Sequence, residues 1–185
     1  MLSSKSGKTN IRRKKISRVM REFAAGGIVY KHKNGKILWL VAKSFPSKEY
    51  PQSYWRLPKG WLDDERKGQR PGPLTTGVKK ATEEHLLKAA LREVAEEGGV
   101  KAKIIKKIGT EKIFFTLSGQ KILKFVTFYL MRWISDIAEG AGFETSEVAW
   151  LKFEKAREKL KYPSEKRMLD KAKEILSSGL QENLI

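Results

Sequence analysis

Between Glu84 and Gly99 two spacings interleave, and no other stretch limits the fold as tightly. Leu87, Leu91 and Val94 recur at steps of four and three, the period of an α-helix with one apolar face turned to a core. Glu93, Glu96 and Glu97 recur at steps of three and four, so they gather within one turn on another face. Three carboxylates so placed repel one another, and the helix dipole disfavours them further at a C-terminal end. Two local faults at one place point to function, and a bound cation would remove both. Taken alone, the acids read equally well as a solvated face.

Thr82 suits the N-cap of this helix, Glu83 and Glu84 suit the positive end of its dipole, and Gly98-Gly99 ends it. Upstream, Phe23 to Tyr30 and Ile37 to Ala42 are expected as strands joined through Lys33-Asn34-Gly35, since Asn-Gly tolerates the positive φ of a tight turn. Phe45 to Tyr54 reads as a loop, and Asp63 to Thr82 as a longer one, with Gly68, Pro71, Gly72, Pro73 and Gly77 as breakers. Downstream, Ala102 to Ile108, Lys112 to Leu117, Ile122 to Trp133 and Val148 to Leu151 are expected as strands, with a turn at Ser118-Gly119. Phe153 to Leu160 and Pro163 to Leu176 are expected as helices, with Pro163 in a first turn and Gly179 just past the end. A chain of 185 residues with this alternation implies one mixed α/β domain. Its expected bounds are 22–178, with an inserted loop at 63–82 and tails at 1–21 and 179–185.

The chain has no cysteine, which excludes disulfides, thiolate metal sites and thiol nucleophiles. With only His32 and His85, any metal site must use oxygen ligands, and these suit magnesium, manganese or calcium. The net charge of +18 favours phosphate-rich partners. Eight of those positive charges lie in Met1 to Arg21, which has no acid. That segment reads as a disordered basic tail, with a nucleic-acid-binding arm, RNA among its possible partners, or an organelle-targeting peptide as the alternatives. No apolar run is long enough to span a membrane and no secretory leader is visible, so a cytoplasmic location is expected.

Arg92-Glu93-Val94-Ala95-Glu96-Glu97-Gly98-Gly99-Val100 resembles the signature helix of the Nudix hydrolases, R-E-U-x-E-E-x-G-U with U apolar, at every defined position. Glu84, eight residues before Arg92, stands where the longer family pattern has a glutamate. Leu57-Pro58-Lys59-Gly60 resembles the entry to that pattern. The family separates this glycine from that glutamate by five residues, whereas here Trp61 to Glu83 intervene. The insertion is therefore a candidate lid or oligomer contact, or a tolerated surface loop.

The resemblance implies an α/β/α sandwich around a mixed sheet and hydrolysis of a pyrophosphate in a substrate linked to a nucleoside diphosphate. It implies that Glu93, Glu96 and Glu97 hold Mg2+, with Mn2+ as a substitute, and that Arg92 orients Glu93. Lys59 is expected at phosphate or at a box carboxylate, Gly60 at a close turn, and Arg56 and Tyr162 at substrate. The general base is expected from the box or from a later loop, with Glu147 favoured over Glu144. Dinucleoside polyphosphates, diphosphoinositol polyphosphates, ADP-ribose and oxidised nucleotides all fit the implied chemistry. An RNA 5′-end pyrophosphohydrolase using the basic tail and a non-catalytic nucleic-acid-associated protein are the rivals, and oligomerisation is left open.

Overall fold

The computed structural model describes residues 19–47, 51–65 and 69–182. The strands are β1 (Met20–Lys33), β2 (Lys36–Ser44), β3 (Trp55–Arg56), β4 (Lys59–Trp61), β5 (Asp64–Glu65), β6 (Arg70–Pro71), β7 (Val100–Leu117), β8 (Gln120–Asp136) and β9 (Thr145–Leu151). The helices are α1 (Glu83–Gly98), α2 (Phe153–Lys159) and α3 (Pro163–Glu182). The seven-stranded main sheet has the order β3-β2-β1-β8-β7, with β4 also on β1 and β9 also on β2. β1 and β8 run parallel, and the other pairs are antiparallel, so the sheet is mixed.

Strand alternation divides β1 between two cores. Ala24, Ile28 and Tyr30 face Ala156 of α2 and Met168, Leu169 and Ala172 of α3. Ala25 and Val29 face Ala89, Ala90 and Val94 of α1. The result is the expected α/β/α sandwich, with helices covering both faces of the sheet.

Several expected boundaries shift. β1 begins at Met20, two residues before the expected domain start, and the rest of the expected basic tail, residues 1–18, lies outside the described residues. The two strands expected over 102–117 are one, because bulges at Lys101/Ala102, Ile104/Lys106 and Lys107/Gly109 absorb the irregular pattern without breaking the ladder. α3 continues through Gly179 rather than ending before it, a modest cost for one helical glycine. Of the C-terminal tail expected from 179, only 183–185 lie beyond that helix, outside the described residues.

The insertion is not a plain loop. β5 and β6 form a small hairpin whose base is tied by Asp63. Its carboxylate accepts the N–H groups of Leu74 (3.0 Å) and Thr75 (2.8 Å), and the Thr75 hydroxyl donates to the Asp63 carbonyl at 2.8 Å. Thr75 O in turn accepts the Phe23 N–H at 2.8 Å, which fastens the insertion to β1.

Candidate active site

Helix α1 begins as its sequence dictates. The Thr82 hydroxyl accepts the His85 N–H, the His85 ring returns a contact to the Thr82 N–H, and Gly99 closes the far end in the left-handed conformation at φ 64°. The Tyr129 hydroxyl donates to Glu83 at 2.7 Å and ties the first turn to the sheet. Which face is buried differs from the apolar spacing. Leu91 is 38% exposed, whereas Ala89, Ala90 and Val94 are buried. Glu93 and Glu97 continue the Ala90 row at steps of three and four and are buried with it, at 8% and 4% exposure, while Glu96 stays exposed. Glu93 and Glu97 are therefore not part of a solvated face, whereas Glu96 is.

The Leu57–Trp61 segment covers them. Gly60 packs on Glu93 so closely that a Cβ there would collide with the carboxylate. The Lys59 N–H donates to Glu97 Oε2 at 2.8 Å, and Arg56 Nη2 lies 2.5 Å from Glu97 Oε1. Arg92 donates to Glu93 Oε1 (2.7 Å) and to the Trp61 carbonyl (2.6 Å), and its guanidinium also approaches Glu96 (3.9 Å) and Asp64 of the insertion (3.6 Å). Glu84 takes no part, since it is exposed and pairs with Lys88.

A loop from the far end of the sheet completes the cleft. The Gly142 N–H donates to Glu96 O at 2.6 Å and the Thr145 hydroxyl to Glu97 O at 3.1 Å, so two terminal carbonyls of α1 are capped from there. Docking this loop brings Glu144 to 4.0 Å from Arg56 and places the largely exposed Phe143 at the rim. Glu147, one turn of chain further, lies on β9 opposite Lys43 and pairs with it at 3.7 Å, outside the cleft lining.

The cleft encloses about 590 Å³ and holds Arg56, Lys59, Gly60, Arg92, Glu93, Glu96, Glu97 and Glu144. Tyr162 is not among its lining residues, and packs edge-on against Tyr54 at 5.3 Å between centroids. Spacing arguments missed Glu22, Trp61, Asp64 and Lys124, which also line it. Glu22 and Lys124 are direct partners in the β1–β8 register, with Lys124 Nζ 3.7 Å from Glu22, and the Trp61 indole donates to Glu22 at 3.3 Å. A lysine inside the apolar run Ile122 to Tyr129 was the legible signal for Lys124.

The cleft lining carries more carboxyl groups than cations. Burial, then Glu97, Glu96 and Glu144, push the Glu93 carboxyl up to about 8 despite Arg92. Burial also raises Glu97, against the pull of Arg56, the Lys59 ammonium and the Lys59 N–H. Burial lowers the Lys124 ammonium, against Glu22. Such a site stabilises a hard cation at its carboxylates, and its donor set is all oxygen. In the side-chain arrangement described, Arg56 and Arg92 occupy the carboxylates, and among the described residues no three acids or histidines already close on one point. The all-oxygen donor set is the kind that a hard divalent ion takes.

Residues 20–172 match the NUDIX domain family. The chain belongs to that family. It is 32% identical over 87 residues to the putative mutator protein MutT4 of Mycobacterium tuberculosis, a match covering 47% of this chain and 35% of that protein. The matched stretch thus spans about a third of the relative's length. Among solved structures, the Ap4A hydrolase of C. elegans superposes with a TM-score of 0.56 at 22% identity, over 85% of this chain and 98% of that one. A NUDIX hydrolase from Nitrosomonas europaea superposes with a TM-score of 0.57 at 14% identity, over 82% and 87%. These likenesses are of fold.

Proposed function

We propose that the chain is a divalent-metal-dependent pyrophosphohydrolase acting on nucleotide derivatives. The observation that carries this reading is the buried Glu93–Glu97 pair, joined by Glu96 and Glu144, in a cleft that also holds Arg56, Arg92 and Lys124. Members of this family generally use divalent metal ions, and Glu93, Glu96 and Glu97 would hold Mg2+ or Mn2+ here. When bound, the ion supplies charge neutralisation at a phosphoanhydride and a more acidic water.

The chain's own residues divide the remaining work. Arg56, released from Glu97, would take phosphate oxygens, while Arg92 would go on orienting Glu93 through their 2.7 Å contact. Lys124 adds a third cation from the cleft floor. In the net reaction a water oxygen bonds to one phosphorus, the bridging oxygen departs with the other phosphate, and one proton must be accepted. Glu144 lines the cleft beside Arg56, whereas Glu147 does not, which favours Glu144 as acceptor. A cleft of this volume suits a nucleotide-sized ligand. Dinucleoside polyphosphates, ADP-ribose and oxidised nucleoside triphosphates are the substrate classes considered, and the fold likeness to an Ap4A hydrolase puts the first of them at the head of the panel.

The test is a substrate panel assayed with and without Mg2+, with products resolved chromatographically. Mg2+-dependent release of nucleoside phosphates that is lost in Glu93→Gln and Glu97→Gln supports the reading. Metal-independent turnover, or none across the panel, contradicts it.

A further inference from the structure

Glu165 is a charged residue that the cleft does not account for. It sits in the first turn of α3, is 1% exposed, and lies more than a hundred residues from the segment it touches. Its Oε1 is 2.6 Å from Lys59 Nζ, and its Oε2 accepts the Leu57 N–H at 3.1 Å. A carboxylate and an ammonium withdrawn from water together rarely stabilise a fold more than an apolar pair of the same volume would. The pair is better explained by what it holds.

It holds the short segment that covers the acids. The Pro58 carbonyl accepts the Gly27 N–H at 3.0 Å, fixing the segment to β1. Glu165 grips it from the α3 side at both Leu57 and Lys59. On the opposite side the Lys59 N–H meets Glu97, and the next residue, Gly60, meets Glu93. Lys59 is thus bound at both ends, its ammonium to Glu165 and its amide to Glu97. A shift of the Lys59 backbone moves the donor that orients Glu97.

We propose that Glu165 is a positioning residue which, through Lys59 and Leu57, sets where Glu97 stands when the site takes its divalent cation, and that Lys59 is the internal counter-ion of Glu165 rather than a phosphate ligand. This rests on the metal-dependent reading above. The pair joins the C-terminal helix on one face of the sheet to the acidic helix on the other.

The experiment compares full-length wild type, Glu165→Gln, Lys59→Met, the Glu165→Gln/Lys59→Met double variant and the apolar replacement Lys59→Met/Glu165→Leu. Mn2+ affinity is read from the free-ion EPR signal, kcat and KM from a dinucleoside polyphosphate with Mg2+, and folding from the melting temperature. Each variant is expected to bind Mn2+ about 10–100-fold more weakly, the usual effect of losing an outer partner of a metal ligand. Each also lowers kcat while KM for the substrate stays within about twofold. The double variant is no worse than either single one, because both remove the same support. The apolar replacement keeps the fold when a single substitution does not, and is expected to share the Mn2+ defect. Wild-type Mn2+ affinity and kcat in Glu165→Gln or in the apolar replacement overturn the proposal. So does a large rise in KM in Lys59→Met that Glu165→Gln does not share. Wild type that binds Mn2+ without hydrolysing any nucleotide sinks the functional reading alone, with Mn2+ affinity still judging Glu165. Wild type that binds no Mn2+ overturns both.

Discussion

Glu93 and Glu97 are buried among like charges, and their cost should be measurable without any substrate. The Glu93 carboxyl titrates near 8 in the metal-free fold and in the ordinary carboxylate range when unfolded. A raised carboxyl favours the folded state fully below the unfolded pKa, and the advantage is lost as pH rises through the folded value. Metal-free protein should therefore lose stability between about pH 5 and pH 8, by on the order of 4 kcal/mol at most for this group. Chemical denaturation with EDTA across that range checks it. Glu93→Gln should flatten the profile and stabilise the metal-free protein at pH 8, while lowering turnover by about a hundredfold or more. Saturating Mg2+ should restore stability most at the alkaline end, where the carboxylate is ionised. At the general base, Glu144→Gln should lower kcat by about 10²–10⁴ with KM little changed, and Glu147→Gln should leave both near wild type. Assaying both substitutions side by side separates the two residues. The three acids were legible from a spacing of three and four. The burial of Glu93 was not, because it depends on Gly60, which lies 33 residues before it in the chain.

At the scale of elements, local signals were the readable ones. The Thr82 cap, the Gly99 stop, and the Asn34-Gly35 and Ser118-Gly119 turns all sit where local backbone chemistry requires them, the four turn residues having positive φ. What no short window could give was the fit between elements. Leu91 was read as core and is exposed, since α1 approaches the sheet through Ala89 and Ala90, where small side chains permit contact. The insertion was read as a loop, since the Asp63–Thr75 clasp depends on which acid meets which amide twelve residues on. Asp63→Ala should leave the Leu74 and Thr75 amides without their acceptor and cost about 1–3 kcal/mol. Faster hydrogen exchange at those two amides, with α1 amides unchanged, would confirm that the clasp is local. Asp64 approaches Arg92 from the base of this hairpin, so the insertion borders the cleft.

Over the whole molecule the sandwich serves one end of the sheet, where segments from β1, β4, α1, β8 and the 140–145 loop meet around the cleft. The strand–helix order implied a mixed α/β domain, and the resemblance to the Nudix hydrolases implied the sandwich that the structure shows. Glu22 and Lys124 escaped notice because they meet only through the parallel register of strands a hundred residues apart. Among the described residues the cleft lining starts at Glu22, and residues 1–18 carry seven positive charges. Removing residues 1–18 should leave kcat and KM for a small nucleotide substrate near wild type. RNA binding, if carried by that segment, should weaken with a shallower salt dependence.

The buried carboxylates of α1 are proposed to serve a divalent cation at a phosphoanhydride. A crystal structure with Mn2+ and a non-hydrolysable dinucleoside polyphosphate, phased on the manganese anomalous signal, tests this most directly. The expected result is an anomalous peak bonded to carboxylate oxygens of Glu93 and Glu97 and to a substrate phosphate, with Arg56 swung onto the phosphates. A bound nucleotide with Arg56 still on Glu97 and no peak at the carboxylates would rule out the metal-dependent reading.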